Sequence, residues 1–281
     1  MTAHYDRGAL ASRLDAALAA AGLDDRRLTP RDLAPVDQFH TGGLRATIDL
    51  ATALAPKRGS DVIDIGCGLG GAARYLATTF DCHVRGIDAS PSFIDAARLL
   101  TRRSALEHAV QFDVGDALAL PYAAGTFDIA WTQHAAMNIR DRPRMYAEIH
   151  RVLRAGGRLA ISDVLAGTGP LHFPVPWASN EHESFLMTPS ALRDALEAAG
   201  FRVTSWIDRT ATSLSSLELL APSPSNPSIP SHSFSSSSPL GPGLGLGLVM
   251  GDKWPFMVAN LTRNLREGRA LVAEIVLEKP A

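Results

Sequence analysis

Apolar residues along this chain change their period more than once, and the changes divide it into elements. Leu10, Leu14, Ala17, Leu18 and Ala21 recur at helical spacing and stop at Gly22. A second helical pattern covers Leu44 to Leu54 and is closed by Pro56. From there short β-rich runs alternate with amphipathic stretches. The pattern predicts strands near 61–65, 83–87, 110–114, 127–132 and 158–164, with helices near 70–79, 91–103 and 143–154. Thr188-Pro189-Ser190 then opens a helix through Ala199, and Phe201 to Ile207 reads as a strand. A helix over about 254–266 and a strand over Ala270 to Leu277 follow. Such alternation predicts an α/β fold, a parallel sheet with helices on both faces. One stretch interrupts it. Pro222 to Gly247 is almost all Ser, Pro and Gly, which predicts a disordered insertion unable to bury enough apolar surface to offset its ordering.

The first strand runs into the chain's densest chemistry, Val62-Ile63-Asp64-Ile65-Gly66-Cys67-Gly68-Leu69-Gly70-Gly71. A strand, a glycine loop and a helix in succession form a nucleotide-site pattern. Asp88 stands 22 positions after Gly66 at the end of the second strand, where a carboxylate can accept hydrogen bonds from a ribose diol. Gly66, Gly68 and Gly71 also satisfy the dinucleotide fingerprint, but Asp64 is a poor neighbour for pyrophosphate. A carboxylate there suits a cofactor with a cationic amino-acid end, which favours S-adenosylmethionine over NAD. Asp113-Val114-Gly115-Asp116-Ala117 supplies a further acid and backbone N–H groups able to read adenine.

In order and spacing, these pieces resemble the class I S-adenosylmethionine-dependent methyltransferases. They are Asp64 to Gly70, Gly86-Ile87-Asp88, Gly115-Asp116-Ala117, Phe127-Asp128-Ile129 and Leu153 to Leu159, within about residues 61–164. The resemblance implies a Rossmann-like seven-stranded sheet whose last two strands pair antiparallel at its edge. It implies cofactor contacts at Asp64, Gly66, Cys67, Gly68, Asp88, Ala89, Asp116, Ala117 and Gln133. Asp37-Gln38-Phe39-His40 with Gly42-Gly43, and Gln133-His134 with Met137-Asn138, resemble a narrower subgroup, the sarcosine/dimethylglycine N-methyltransferase-like enzymes. That likeness runs from about residue 29 to the C-terminus apart from the insertion, and implies N-methylation of a small amine such as sarcosine or dimethylglycine. O- or C-methylation of a larger metabolite (a polyketide, phenol or prenyl compound) is the alternative.

For catalysis the sequence offers His134, just past the fourth strand, as base or orienting donor, and His172 in the stiff loop Leu171 to Trp177. His40, Arg45, Gln133, Asn138 and Trp177 are candidate acceptor contacts, with Arg45 suited to a bidentate bond to an acceptor carboxylate. The formal charge of −2 gives no basic footprint for nucleic acid, and no Asn/Asp-Pro-Pro-aromatic tetrapeptide follows the fourth strand. Cys67 and Cys82 provide neither a disulfide framework nor metal-ligand spacing. With no signal-like or membrane-length apolar run, a cytoplasmic protein acting on a small-molecule methyl acceptor is expected. The expected organisation is a helical N-terminal cap over 1–56 and a methyltransferase domain over 57–281.

Overall fold

The computed structural model describes residues 9–23, 26–220 and 245–281. At its centre is a seven-stranded sheet built from β1 (Asp61–Ile65), β2 (His83–Asp88), β3 (Val110–Val114), β4 (Phe127–Gln133), β5 (Leu153–Ala166), β6 (Arg202–Asp208) and β7 (Ala270–Glu278). The order is β3-β2-β1-β4-β5-β7-β6, with β7 antiparallel to both neighbours. The first five strands are parallel, and their order reverses between β1 and β4. A crevice opens past the carboxyl ends of the strands at such a reversal.

Ten helices occur among the described residues: α1 (Leu10–Ala20), α2 (Pro30–Asp37), α3 (Gly43–Leu54), α4 (Gly71–Phe80), α5 (Pro91–Arg103), α6 (Arg142–Val152), α7 (Pro189–Ala198), α8 (Thr210–Leu220), α9 (Leu246–Met250) and α10 (Trp254–Arg266). Strand β1 shows why both sheet faces need cover, since Val62 to Ile65 are all buried. Ile63 and Ile65 pack on the side of Met145, Ile149 and Leu192 from α6 and α7. Val62 packs on the opposite side, with Leu50, Leu76 and Ile94 from α3, α4 and α5. A third cluster seats α1 and α2 on Phe93 and Leu100 of α5. The fourth joins α8 and α10 to Met137 and Trp177 above the sheet's carboxyl edge.

All seven strands fall where the periodicity puts them, but β5 begins at Leu153 instead of 158. Its early residues pair with Phe127, and Gly156 N–H donates to the Lys279 carbonyl, so pairing extends the strand through glycines that carry no β signal. Helix α2 has no counterpart in the pattern reading. Its start is nevertheless written locally: Thr29 and Asp32 form a reciprocal capping box, and Pro30 occupies the first turn. Most of the stretch expected to be disordered, 222–244, lies outside the described residues, whereas Leu246 and Gly247 belong to α9. Among the described residues no helix is long and apolar enough to cross a membrane.

Candidate functional site

A cavity of about 530 Å³ lies over the carboxyl ends of β1, β2 and β4. Its floor is the loop between β1 and α4, in which Gly66 and Gly68 have φ of 70° and 52°. Both are required by close approach as well as by backbone sign. A Cβ on Gly66 would fall 2.3 Å from Ala135 Cβ, and one on Gly68 2.7 Å from the Phe39 ring. Phe39 therefore lies directly over the glycine loop, and its edge meets Phe93 with centroids 5.8 Å apart.

Three acids expected from the sequence line this cavity. Asp88 accepts the Gly68 N–H at 3.0 Å through Oδ2 and the Ser90 N–H at 2.9 Å through Oδ1. Burial raises its pKa, and those N–H groups oppose the rise. Asp64 is 2% exposed, and its Oδ2 has no hydrogen-bond partner. Burial, then the neighbouring Asp88 charge, push its pKa up to about 7 against the pull of Arg74. A buried carboxyl oxygen without a partner on the cavity wall fits an ammonium group, so the amino-acid end of S-adenosylmethionine is accommodated here. Asp116 is exposed and accepts the Leu118 N–H at 2.9 Å. Asp113, at the same strand end, is engaged elsewhere, by Arg85 Nη1 at 3.1 Å and the Tyr122 hydroxyl at 2.8 Å. Cys67, Ala89, Ala117 and Gln133 complete the expected lining; burial pushes the Cys67 thiol well up, which keeps it protonated and inert.

On the other side of the cavity His134 directly follows β4 with φ of 49°, a strained conformation for a non-glycine residue, held by its N–H donating to the Ser162 carbonyl at 2.8 Å. Its ring lies 5.7 Å from that of His40. Burial lowers His134 to a pKa of about 3, helped by His40, and burial lowers His40 to about 4. Both rings are therefore neutral near pH 7. His40 Nε2 lies 2.9 Å from Gln38 Oε1 and 3.2 Å from Thr47 Oγ1, which in turn lies 3.2 Å from Gln133 Oε1. Trp131 Nε1–H donates to that same Gln133 oxygen at 3.0 Å, leaving Gln133 Nε2 buried without a partner. Asn138 and Trp177 also line the cavity, with Trp177 Nε1–H donating to Ser184 Oγ at 2.9 Å.

Two expected site residues are elsewhere. Arg45 is 77% exposed on α3 and pairs with Asp49 at 2.8 Å, because its place on the helix turns it to solvent while Thr47 faces inward. His172 is outside the cavity lining: its Nε2 lies 2.8 Å from Glu267 Oε2, and its backbone is bracketed by the Asn264 amide. It clasps the 167–177 loop to α10. Arg45→Ala is expected to leave the Michaelis constant of any turned-over acceptor within twofold, since an exposed i,i+4 pair contributes about 0.3–0.5 kcal/mol. Initial-rate kinetics check this, and a tenfold rise would return Arg45 to the site.

Sequence reasoning quoted Phe39 only as part of a motif and gave no role to Thr41 or to the outer wall from α8, α9 and α10. Thr41 sits between two quoted residues, but a threonine in a glycine-flanked turn has no distinctive spacing. The wall residues on α10 read only as ordinary helix, and those on α8 and α9 fall where the pattern reading bounds no element.

Residues 63–161 match the family model described as "Methyltransferase domain". Over 134 residues the chain is 38% identical to methyltransferase GfsG of Streptomyces halstedii, covering 48% of each chain. It is 30% identical to a sarcosine/dimethylglycine N-methyltransferase of Halorhodospira halochloris, covering 59% of this chain and 61% of that one. Each match spans less than two thirds of the curated relative's own length. A solved structure of geranyl diphosphate C-methyltransferase from Streptomyces coelicolor A3(2) superposes with a TM-score of 0.65 at 19% identity, covering 98% of this chain and 94% of that one, and shares the fold. The matched segment, the strand order and the acids at the strand ends place a methyltransferase domain at residues 63–161, and S-adenosylmethionine is the cofactor its cavity fits.

Proposed function

We propose that the chain transfers a methyl group from S-adenosylmethionine to a small-molecule acceptor seated between His134 and the outer wall of the cavity. The observation that carries this reading is one continuous cavity, lined at one side by Asp64 and Asp88 and at the other by His134 and Trp177. In this reading Asp64 holds the cofactor's ammonium group, Asp88 its ribose, and Asp116 flanks its adenine. Bound cofactor supplies an electrophilic methyl group that an acceptor lone pair attacks in line. What the chain contributes is alignment and exclusion of water.

His134 acts in this reading as a hydrogen-bond donor to the acceptor. In this reading the Thr41 hydroxyl, which accepts from Ser213 Oγ at 3.3 Å, gives its own proton to His134 Nε2 at 3.1 Å. A ring that accepts at Nε2 and is neutral carries its proton on Nδ1. That N–H can orient an acceptor oxygen and stabilise negative charge on it. N-methylation of sarcosine or dimethylglycine draws support from the subgroup resemblance and from the Halorhodospira relative. Methylation at oxygen or carbon of a larger metabolite draws support from the donor role of His134 and from the apolar outer wall.

The test is S-adenosylhomocysteine formation by purified protein across acceptors of both kinds, beside a blank without acceptor, with cofactor affinity measured by calorimetry. Acceptor-dependent product is expected. In His134→Ala, kcat should fall about a hundredfold, with S-adenosylhomocysteine affinity unchanged within twofold. Equal losses in both quantities would assign His134 to folding instead.

A further inference from the structure

We propose that the acceptor half of this cavity takes an uncharged, predominantly apolar molecule and rejects carboxylates and phosphates. The inference rests on the methyl-transfer reading and names the substrate class of the same site. Among the described residues, no lysine or arginine lines the cavity. Its charged lining is acidic, with Asp64, Asp88 and Asp116 toward the glycine-loop side and Asp37 already paired to Arg74. An anionic acceptor would enter without a counter-ion and face like charge.

Four nearby arginines are committed outside the cavity. Arg45 pairs with Asp49 on the surface, and Arg140 stacks on the Phe185 ring with its guanidinium carbon 4.6 Å from the centroid. The buried Arg142 donates to the Ala136 carbonyl at 2.9 Å and lies 3.4 Å from Asp163. Arg209 holds Glu274 at 2.9 Å. Arg45, Arg142 and Arg209 cannot swing in without leaving an acid or carbonyl unpartnered in their place.

The outer wall is mostly carbon, with the Ser216 hydroxyl given to the Ser213 carbonyl at 2.7 Å. Trp177, Leu217, Met250, Trp254, Val258 and Leu261 line it, drawn from the loop after β5 and from α8, α9 and α10. Trp177 spends its indole N–H on Ser184, so it offers only ring carbon. At the rim Leu219 also lines the cavity and is 88% exposed, so the apolar surface continues to solvent. Polar groups on the acceptor side are neutral: the Gln133 and Asn138 amides and the uncharged His134 ring. Such a lining selects by apolar contact with a few neutral hydrogen bonds that fix orientation.

The test uses two fluorescent probes with the same ring skeleton, neutral N-phenyl-1-naphthylamine and its sulfonate 8-anilinonaphthalene-1-sulfonate, on protein saturated with S-adenosylhomocysteine. The neutral probe should bind at least about tenfold tighter than the sulfonate. Val258→Asp should weaken the neutral probe by at least a similar factor while calorimetric S-adenosylhomocysteine affinity stays unchanged. A sulfonate that binds as well as the neutral probe overturns the inference, whatever the variant does. So does a neutral probe insensitive to Val258→Asp. Failure of wild-type protein to bind S-adenosylhomocysteine removes the methyl-transfer reading itself, and is read separately in the calorimeter.

Discussion

Asp88→Ala should weaken S-adenosylhomocysteine binding about a hundredfold or more, the largest effect on the cofactor expected from any single side chain. The argument begins in the free protein. Asp88 already accepts the N–H groups of Gly68 and Ser90, so it fixes the glycine loop to the start of α5 before any ligand arrives. Each carboxylate oxygen keeps further acceptor capacity for a ribose hydroxyl. Hydrogen bonds to a charged group contribute about 1.5–3 kcal/mol each, and two such bonds to the ligand give at least about 3 kcal/mol, or a hundredfold. Loosening the loop adds to this. Asp88→Asn keeps the shape and one acceptor oxygen, but turns an amide donor toward either Gly68 N–H or Ser90 N–H; its loss should fall between wild type and alanine. Calorimetry measures the affinities, and thermal unfolding confirms that the variants are folded. A folded Asp88→Ala protein that binds S-adenosylhomocysteine within twofold of wild type overturns the ribose assignment.

The glycine-loop side of the cavity was legible because its constraints are local. Gly66 and Gly68 need positive φ and bare backbone, Asp64 and Asp88 sit at strand ends, and each fact leaves a residue type at a fixed offset. The strands were legible for a similar reason, since β1 is buried on both faces and therefore apolar throughout. The His134 side is assembled differently. Thr41 reaches His134 across 93 positions, and Ser213 reaches Thr41 across 172. No pattern read along the chain anticipates contacts at that separation. Arg45 illustrates the converse error. Its residue type suits a carboxylate, but at two positions from inward-facing Thr47 a helix turns it away, by about 200° at 3.6 residues per turn. His172 has the chemistry of a catalytic base and the position of a surface clasp.

The second large effect is on stability, at a residue with no role in the sequence reading of the cofactor site. Asp37→Ala should destabilise the protein by about 3–5 kcal/mol, the cost of leaving a buried partner charge uncompensated. Asp37 and Arg74 side chains are both 0% exposed and meet at 2.7 Å. Arg74 also donates to the Leu69 carbonyl at 2.6 Å, Thr101 Oγ1 at 2.9 Å and the Ala97 carbonyl at 3.2 Å. One guanidinium thus ties together the end of α2, the glycine loop and α5. Gly71 shows how tight the joint is: a Cβ there would lie 2.7 Å from the Asp37 carbonyl oxygen. Removing only the acid strands this cation, whereas Asp37→Ala with Arg74→Met removes both charges together. Burial raises the Asp37 pKa and Arg74 opposes the rise, the balance of a pair whose members are costly apart. Chemical denaturation should therefore find the double variant more stable than Asp37→Ala alone, with a coupling energy of about 1 kcal/mol or more. Strict additivity of the two single losses would refute the coupling. The segment carrying His40 and Thr41 starts at Asp37, so the double variant should also lose acceptor turnover by a larger factor than S-adenosylhomocysteine affinity. Equal losses would mean that this joint supports the glycine loop alone and leaves the histidine pair where it is.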